Sequence, residues 1–202
     1  MLVSEITAFL EQAYDVLNDK YFDGSLTKVV ITVQSTPRVY GHYTVNEMWS
    51  ENEDGYHEIN LGAETLSRQC SELLGTLLHE MTHHYCALNG IKDTSRGGTY
   101  HNKRFKQEAE KRGLIIGYDS RIGFSPTTPS EELIAFVKEQ GWEDIDLSRK
   151  NSGFDFGGGG GGRRVQKVRK YMCPMCGCSV RATKAVNIGC LDCGVEMPLV
   201  EN

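Results

Sequence analysis

No apolar run in this 202-residue sequence approaches the roughly 18 residues that a bilayer-spanning helix requires, so no membrane partner is expected. The first twenty residues, MLVSEITAFLEQAYDVLNDK, are acidic and amphipathic. They lack the basic n-region and small-residue cleavage site of a secretion signal, which makes a cytoplasmic location the expectation. There is no internal repeat, so a solenoid or array is not indicated. Apolar residues are scarcer than average, at 39% with a mean hydropathy of -0.40, yet sufficient for a core. The seven cysteines do not make an even set, and five of them crowd residues 173–193 with paired C-x-x-C spacing. In a chain without a secretion signal, that pattern points to metal ligation rather than disulfides.

The net charge of -5 conceals an asymmetry. Residues 163–202 hold seven Lys/Arg against three acids, a net of +4, which leaves 1–162 at 15 against 24, a net of -9. An acidic body with a basic tail is what a separate polyanion-binding module looks like. Along the chain, 4–20 has helical apolar spacing with Ser4 as a candidate N-cap. VVITVQ (29–34), the stretch 38–49 and HEINL (57–61) have strand composition and suggest a small, mostly antiparallel sheet. A long helix is expected from Ala63 to Asn89, closed by Gly90, then a glycine-rich loop and a helix over 101–112. Ser130–Gln140 reads as a short helix capped by Ser130, and the six glycines Gly157–Gly162 as a flexible linker. The fold class is therefore α+β, sized for one medium domain and an accessory piece.

Within the long helix stands His79-Glu80-Met81-Thr82-His83, an H-E-x-x-H motif. Histidines four apart share one helix face, so both imidazoles can reach one zinc ion. Glu80 can stand beside the metal and take a proton from water that the metal activates. A catalytic zinc needs a third protein ligand. His101 is favoured because Gly97-Gly98 can turn the chain back toward the motif, with Glu108 on the next helix as the runner-up and His42 and His57 as upstream candidates. His84 points about 100° away from His83, toward solvent or a supporting partner. Tyr100 is a candidate substrate-orienting group or a packed tyrosine.

Cys173-x-x-Cys176 and Cys190-x-x-Cys193, thirteen residues apart and each followed by glycine, form a four-thiolate pattern for a second, structural zinc. About 30 residues cannot bury enough surface to fold alone, so the metal must hold this ribbon together. Cys178 is a spare thiol, and Cys70 and Cys86 are expected as small buried residues. The neighbouring Arg163, Arg164, Lys167, Arg169 and Lys170, with Arg181 and Lys184, favour sequence-independent contact with nucleic-acid phosphates. Tyr171 can either stack on a base or pack in the ribbon.

The stretches LNDKYFDGSL (17–26), HEINLG (57–62), LLHEMTHHY (77–85) and GGTYHNKRF (97–105), with the C-terminal YMCPMCG and IGCLDCG, resemble the SprT-like zinc metalloproteases, the family that includes the eukaryotic protease Spartan. The resemblance implies a zincin-like domain over 1–116 with His79, His83 and His101 on a catalytic zinc and Glu80 as base. It further implies a zinc ribbon, here with its basic segment over 163–202, but the extension and Gly-rich linker over 117–162 depart from the family, whose ribbons follow the protease region closely. The implied substrates are proteins bound or crosslinked to DNA. Two other functions fit the same residues: a catalytically silent DNA-binding scaffold, or a zinc peptidase acting on a protein partner without DNA. The oligomeric state is not legible in the sequence.

Overall fold

The structure, a computed structural model, describes residues 2–36, 39–51, 54–148 and 168–200, which fall into two compact units divided after Lys150. The first unit begins with α1 (Val3–Phe22), whose Ile6, Leu10, Ala13, Tyr14 and Leu17 recur at helical spacing and are buried. Its start is set by the Glu5 carboxylate, which accepts from the Leu2 amide, so Ser4 lies inside the first turn rather than at the cap. Asn18 then closes the exit from the helix. Its side chain donates to the Leu26 carbonyl and accepts from the Leu26 amide, at 3.2 and 3.1 Å.

The sheet is built on β4 (Asp54–Gly62), flanked by β1 (Val29–Gln34) on one side and by β2 (Gly41–Tyr43) and β3 (Trp49–Glu51) on the other. The β2 and β3 pairings are antiparallel, but β1 runs parallel to β4 with Ile31 opposite Ile59 and Val33 opposite Leu61. The mostly antiparallel sheet expected from composition is thus a mixed one. Strand alternation sends Ile59 and Leu61 into the core and leaves Glu58 and Asn60 on the other face. There Glu58 accepts from the Thr32 hydroxyl at 2.6 Å and the Trp49 indole at 2.7 Å, so its buried carboxyl group is hydrogen-bonded.

The helix expected from Ala63 is interrupted. A 3₁₀ turn (Ala63–Thr65) is followed by non-helical residues up to Gln69, where the Thr65 carbonyl accepts from both the main-chain N–H and the side chain of Arg68. Helix α2 (Cys70–Leu88) then crosses the sheet with Leu73, Leu74, Leu77, Leu78 and Met81 fully buried. A short hairpin of β5 (Thr94–Ser95) and β6 (Tyr100–His101) leads to α3 (Lys103–Glu110), capped by the Asn102 side chain. Next come the pair β7 (Leu114–Ile116) and β8 (Thr127–Pro129), and α4 (Glu131–Glu139), capped by Ser130. Residues beyond 116 are part of this unit: Leu133, Val137, Trp142 and Leu147 join the same core, and Trp142 meets Phe9 edge-on at 5.5 Å. The glycine run Gly157–Gly162 and the basic residues Arg163, Arg164 and Lys167 lie outside the described residues.

The second unit holds a three-stranded sheet with β9 (Arg169–Met172) between β10 (Ser179–Ala182) and β13 (Leu199–Val200). Beside it is a hairpin of β11 (Gly189–Cys190) and β12 (Val195–Glu196). Among its described residues the core is Tyr171, Cys173, Cys190 and Met197, with Ala182, Ile188, Cys193 and Val195 packed against it, a small apolar surface for such a unit.

Asn18→Ala leaves two buried Leu26 backbone groups without partners and is expected to destabilise the first unit by about 1–3 kcal/mol in chemical denaturation. A loss under about 0.5 kcal/mol, within the range of an ordinary surface substitution, would show that the Leu26 turn is held by other contacts.

Candidate metal centres

Helix α2 presents His79 and His83 one turn apart, and the β5–β6 hairpin returns His101 to them across Gly97 and Gly98, both at positive φ. The three Nε2 atoms stand 3.2 Å (79–83), 3.2 Å (79–101) and 3.0 Å (83–101) from one another. The opposite nitrogen of each ring is committed elsewhere. His83 Nδ1 meets an Asp93 carboxylate oxygen at 2.5 Å, and His101 Nδ1 faces the Ile122 carbonyl at 3.4 Å; both oxygens only accept. The Thr127 hydroxyl donates to the Ser125 carbonyl at 2.9 Å, so at 2.7 Å it accepts from His79 Nδ1. These partners assign the proton to Nδ1 in all three rings and leave three Nε2 lone pairs pointing at each other. Lone pairs at such separations repel unless a cation lies between them. A tetrahedral zinc with bonds near 2.0–2.1 Å needs nitrogens about 3.3 Å apart, so the donor set fits zinc.

Phe105, fully buried on α3, floors the cluster with its ring centroid 4.5, 4.5 and 4.8 Å from those of His79, His83 and His101. Burial, then the neighbouring His83 and His101, holds His79 well below its ordinary pKa; burial and His83 bring His101 down to about 4. Glu80 is 5% exposed, and burial pushes its carboxyl up to about 7 against the opposing influence of His83 and of the Tyr43 backbone N–H. A cation at the Nε2 focus draws it down again.

The other candidates are placed elsewhere. Glu108 is tied to Arg112 at 2.8 Å and Lys111 at 2.7 Å, away from the cluster. His42 is exposed on β2, and His57 faces the Thr44 carbonyl. His84 does not reach solvent; it is fully buried against Tyr43 and Thr27. Tyr100 lies beside Tyr118, hydroxyl to hydroxyl 3.3 Å, with the Arg96 guanidinium over its ring.

Residues 10–118, more than half of the sequence, match the SprT-like family. The chain belongs to the SprT-like family. No curated protein and no solved structure matches it.

The matched stretch of this SprT-like chain contains the three histidines, Glu80, Asp93 and Phe105, but ends before Ile122 and Thr127, which support His101 and His79. Neither support carries a sequence signal, since one acts through a backbone carbonyl and the other is an ordinary threonine. Asp93 could have been suspected as an acid ten residues after His83.

In the second unit the Sγ atoms of Cys173, Cys176, Cys190 and Cys193 all lie within 4.8 Å of one another, a group consistent with one zinc. Gly177 and Gly194, after the second cysteine of each pair, sit at φ +73° and +67°, where the knuckle turns. The Cys176 backbone N–H, with that of Met175, brings the Cys173 thiol down to about 7. Cys178 is exposed and joins the knuckle only by its carbonyl, which accepts from the Cys173 amide at 2.8 Å. Cys70 and Cys86 are buried. Tyr171 is buried, and its hydroxyl accepts from the Val186 amide at 3.1 Å, so it packs rather than offering a stacking surface.

Thr127→Val and Asp93→Asn are each expected to weaken zinc binding at the histidine centre about 10–100-fold in chelator competition, leaving the cysteine centre loaded. Wild-type affinity in both variants would contradict the supporting role. The lowered His79 and His101 also set a pH signature. Neutral imidazoles persist under acid, so zinc release should begin well below the ordinary histidine pKa of about 6.5, and half-release at or above that value would contradict the assignment.

Proposed function

We propose that this SprT-like protein is a zinc-dependent protease that hydrolyses peptide bonds in proteins bound or crosslinked to DNA. The observation that carries this reading is the meeting of three Nδ1-tied imidazoles at one focus with a buried carboxylate on the same helix turn. His79, His83 and His101 would hold one zinc, and Cys173, Cys176, Cys190 and Cys193 a second. Bound at the histidines, zinc supplies Lewis acidity, making water a nucleophile near neutral pH and polarising a carbonyl. Glu80 accepts the proton from the attacking water and returns it to the leaving amine, a role suited to a buried carboxylate one residue from the first histidine. No covalent bond to the enzyme is required.

The strand beside Glu80 supports a polypeptide substrate. Tyr40 and Thr44 exchange backbone hydrogen bonds with β4, so the polar groups of Gly41 and Tyr43 face the opposite edge. Among the described residues no strand pairs with that edge, and an extended peptide can add there through main-chain bonds. The ribbon supports the DNA reading. Lys170 on β9 stands directly opposite Arg181 on β10, a like-charge pair that costs stability unless an anion lies over it. Arg169 is beside it with its guanidinium on the Thr183 carbonyl, and Arg163, Arg164 and Lys167 precede it in sequence.

Cleavage of a DNA-binding protein with and without single-stranded DNA tests the reading. Wild type should cut faster with DNA, and Glu80→Gln should lose at least about 10²-fold while keeping both zinc ions. Undiminished cleavage by Glu80→Gln, or tight DNA binding with no cleavage by wild type, would overturn protease function. Cleavage indifferent to DNA would remove DNA from the account and leave a peptidase for a protein partner. Deleting residues 163–202 should weaken DNA affinity and flatten its salt dependence; an unchanged salt slope would contradict the ribbon's part.

A further inference from the structure

We propose that Tyr43 and His84 are positioning residues that hold β2 against helix α2 and thereby aim Glu80; this rests on the hydrolytic role of Glu80 proposed above. Glu80 and His84 are four residues apart on α2 and stand on one stripe, one turn above the other. β2 is three residues long and, among the described residues, bonded to the sheet along one edge. The Gly41 backbone lies close against that stripe: a Cβ built there would come within 3.1 Å of Thr76 Cγ2 and 3.2 Å of Glu80 Oε1. A strand so short needs a second anchor to stay registered beside the carboxylate.

Tyr43 is that anchor. Its hydroxyl stands 3.2 Å from His84 Nδ1, two residues along β2 from the Gly41 that adjoins Glu80. His84 is fully buried, with Nε2 3.2 Å from the Thr27 carbonyl and 3.1 Å from the Thr27 hydroxyl. A carbonyl only accepts, so the ring proton is on Nε2 and Nδ1 accepts from the Tyr43 hydroxyl. Thr27 is fixed in turn, because its carbonyl also accepts from Tyr14 on α1 at 2.7 Å. The His57 ring packs at 5.4 Å from Tyr43 and 5.2 Å from His84, closing the space around the pair. β2 therefore meets the same stripe of α2 twice, at Gly41 beside Thr76 and Glu80 and through the Tyr43 side chain at His84. The third histidine of HEMTHH is not a ligand; it grips the strand that orients the base.

Tyr43→Phe keeps the ring and removes only the hydroxyl, so it separates aim from packing. The zinc-loaded full chain should show kcat about tenfold lower, the factor set by one lost hydrogen bond, with KM and zinc content unchanged. Amide exchange of residues 41–44 should accelerate while that of α2 does not. His84→Ala should act the same way, and His84→Gln, which retains a donor for Thr27 and an acceptor for Tyr43, should recover part of the loss. Wild-type kcat and wild-type exchange in Tyr43→Phe would overturn the proposal. So would a rise in KM alone, which would assign the anchor to peptide binding, or zinc loss proportional to kcat, which would assign it to the metal helix. If wild type and Glu80→Gln prove equally inactive, the hydrolytic reading falls by itself, and unaltered exchange in Tyr43→Phe would still refute the anchor.

Discussion

Three imidazole lone pairs held about 3 Å apart are the constraint on which the rest of the first unit depends. Neutral Nε2 acceptors do not gather at that distance by packing. Each is held by a hydrogen bond at its far nitrogen, and each bond comes from a different segment: Thr127 for His79, Asp93 for His83 and the Ile122 carbonyl for His101. The fold can be read as the means of delivering those three supports to one face of α2. The apolar side of that helix, Leu73, Leu74, Leu77, Leu78 and Met81, is sunk in the core, so the turn bearing His79 and His83 is rigidly placed. Phe105 excludes water beneath the rings, which strengthens whatever electrostatic interaction occurs above them.

Glu80 belongs to the same design but is governed from another direction. The histidines are arranged by the loops that follow α2, whereas the carboxylate is bounded by β2, which precedes it. Gly41 matters because a side chain there would press on Glu80, and Tyr43 because it links that strand to His84. Metal support and base support thus come from separate parts of the chain. Either can be disturbed without the other, which is why metal content and turnover are informative as a pair.

The residues that carry local spacing were the legible ones. His79 and His83 share a helix face by their separation alone, the glycine pair before His101 marks a reversal, and the two C-x-x-C knuckles sit at recognisable distance. Helix α4 and its Ser130 cap were also readable, since cap and apolar stripe are short-range features. What escaped was set by tertiary contact. The parallel direction of β1 follows from how the chain crosses back to β4, and no strand composition records that. The break at Leu66–Gln69 carries no glycine or proline, and the Thr65 carbonyl there is taken by Arg68 through both main chain and side chain. For His84 the helical angle gave a direction, toward solvent or a supporting partner, but not which; Tyr43 and Thr27 fill that direction. Residues 117–129 resembled a connecting extension, yet they bring two of the three histidine supports.

Anomalous diffraction at the zinc edge from crystals of the full chain tests the central claim most directly. The account requires a peak about 2.0–2.1 Å from Nε2 of His79, His83 and His101 together. A zinc bound to His79 and His83 with His101 beyond bonding reach, or no peak at the three rings while the cysteine centre is full, would contradict it.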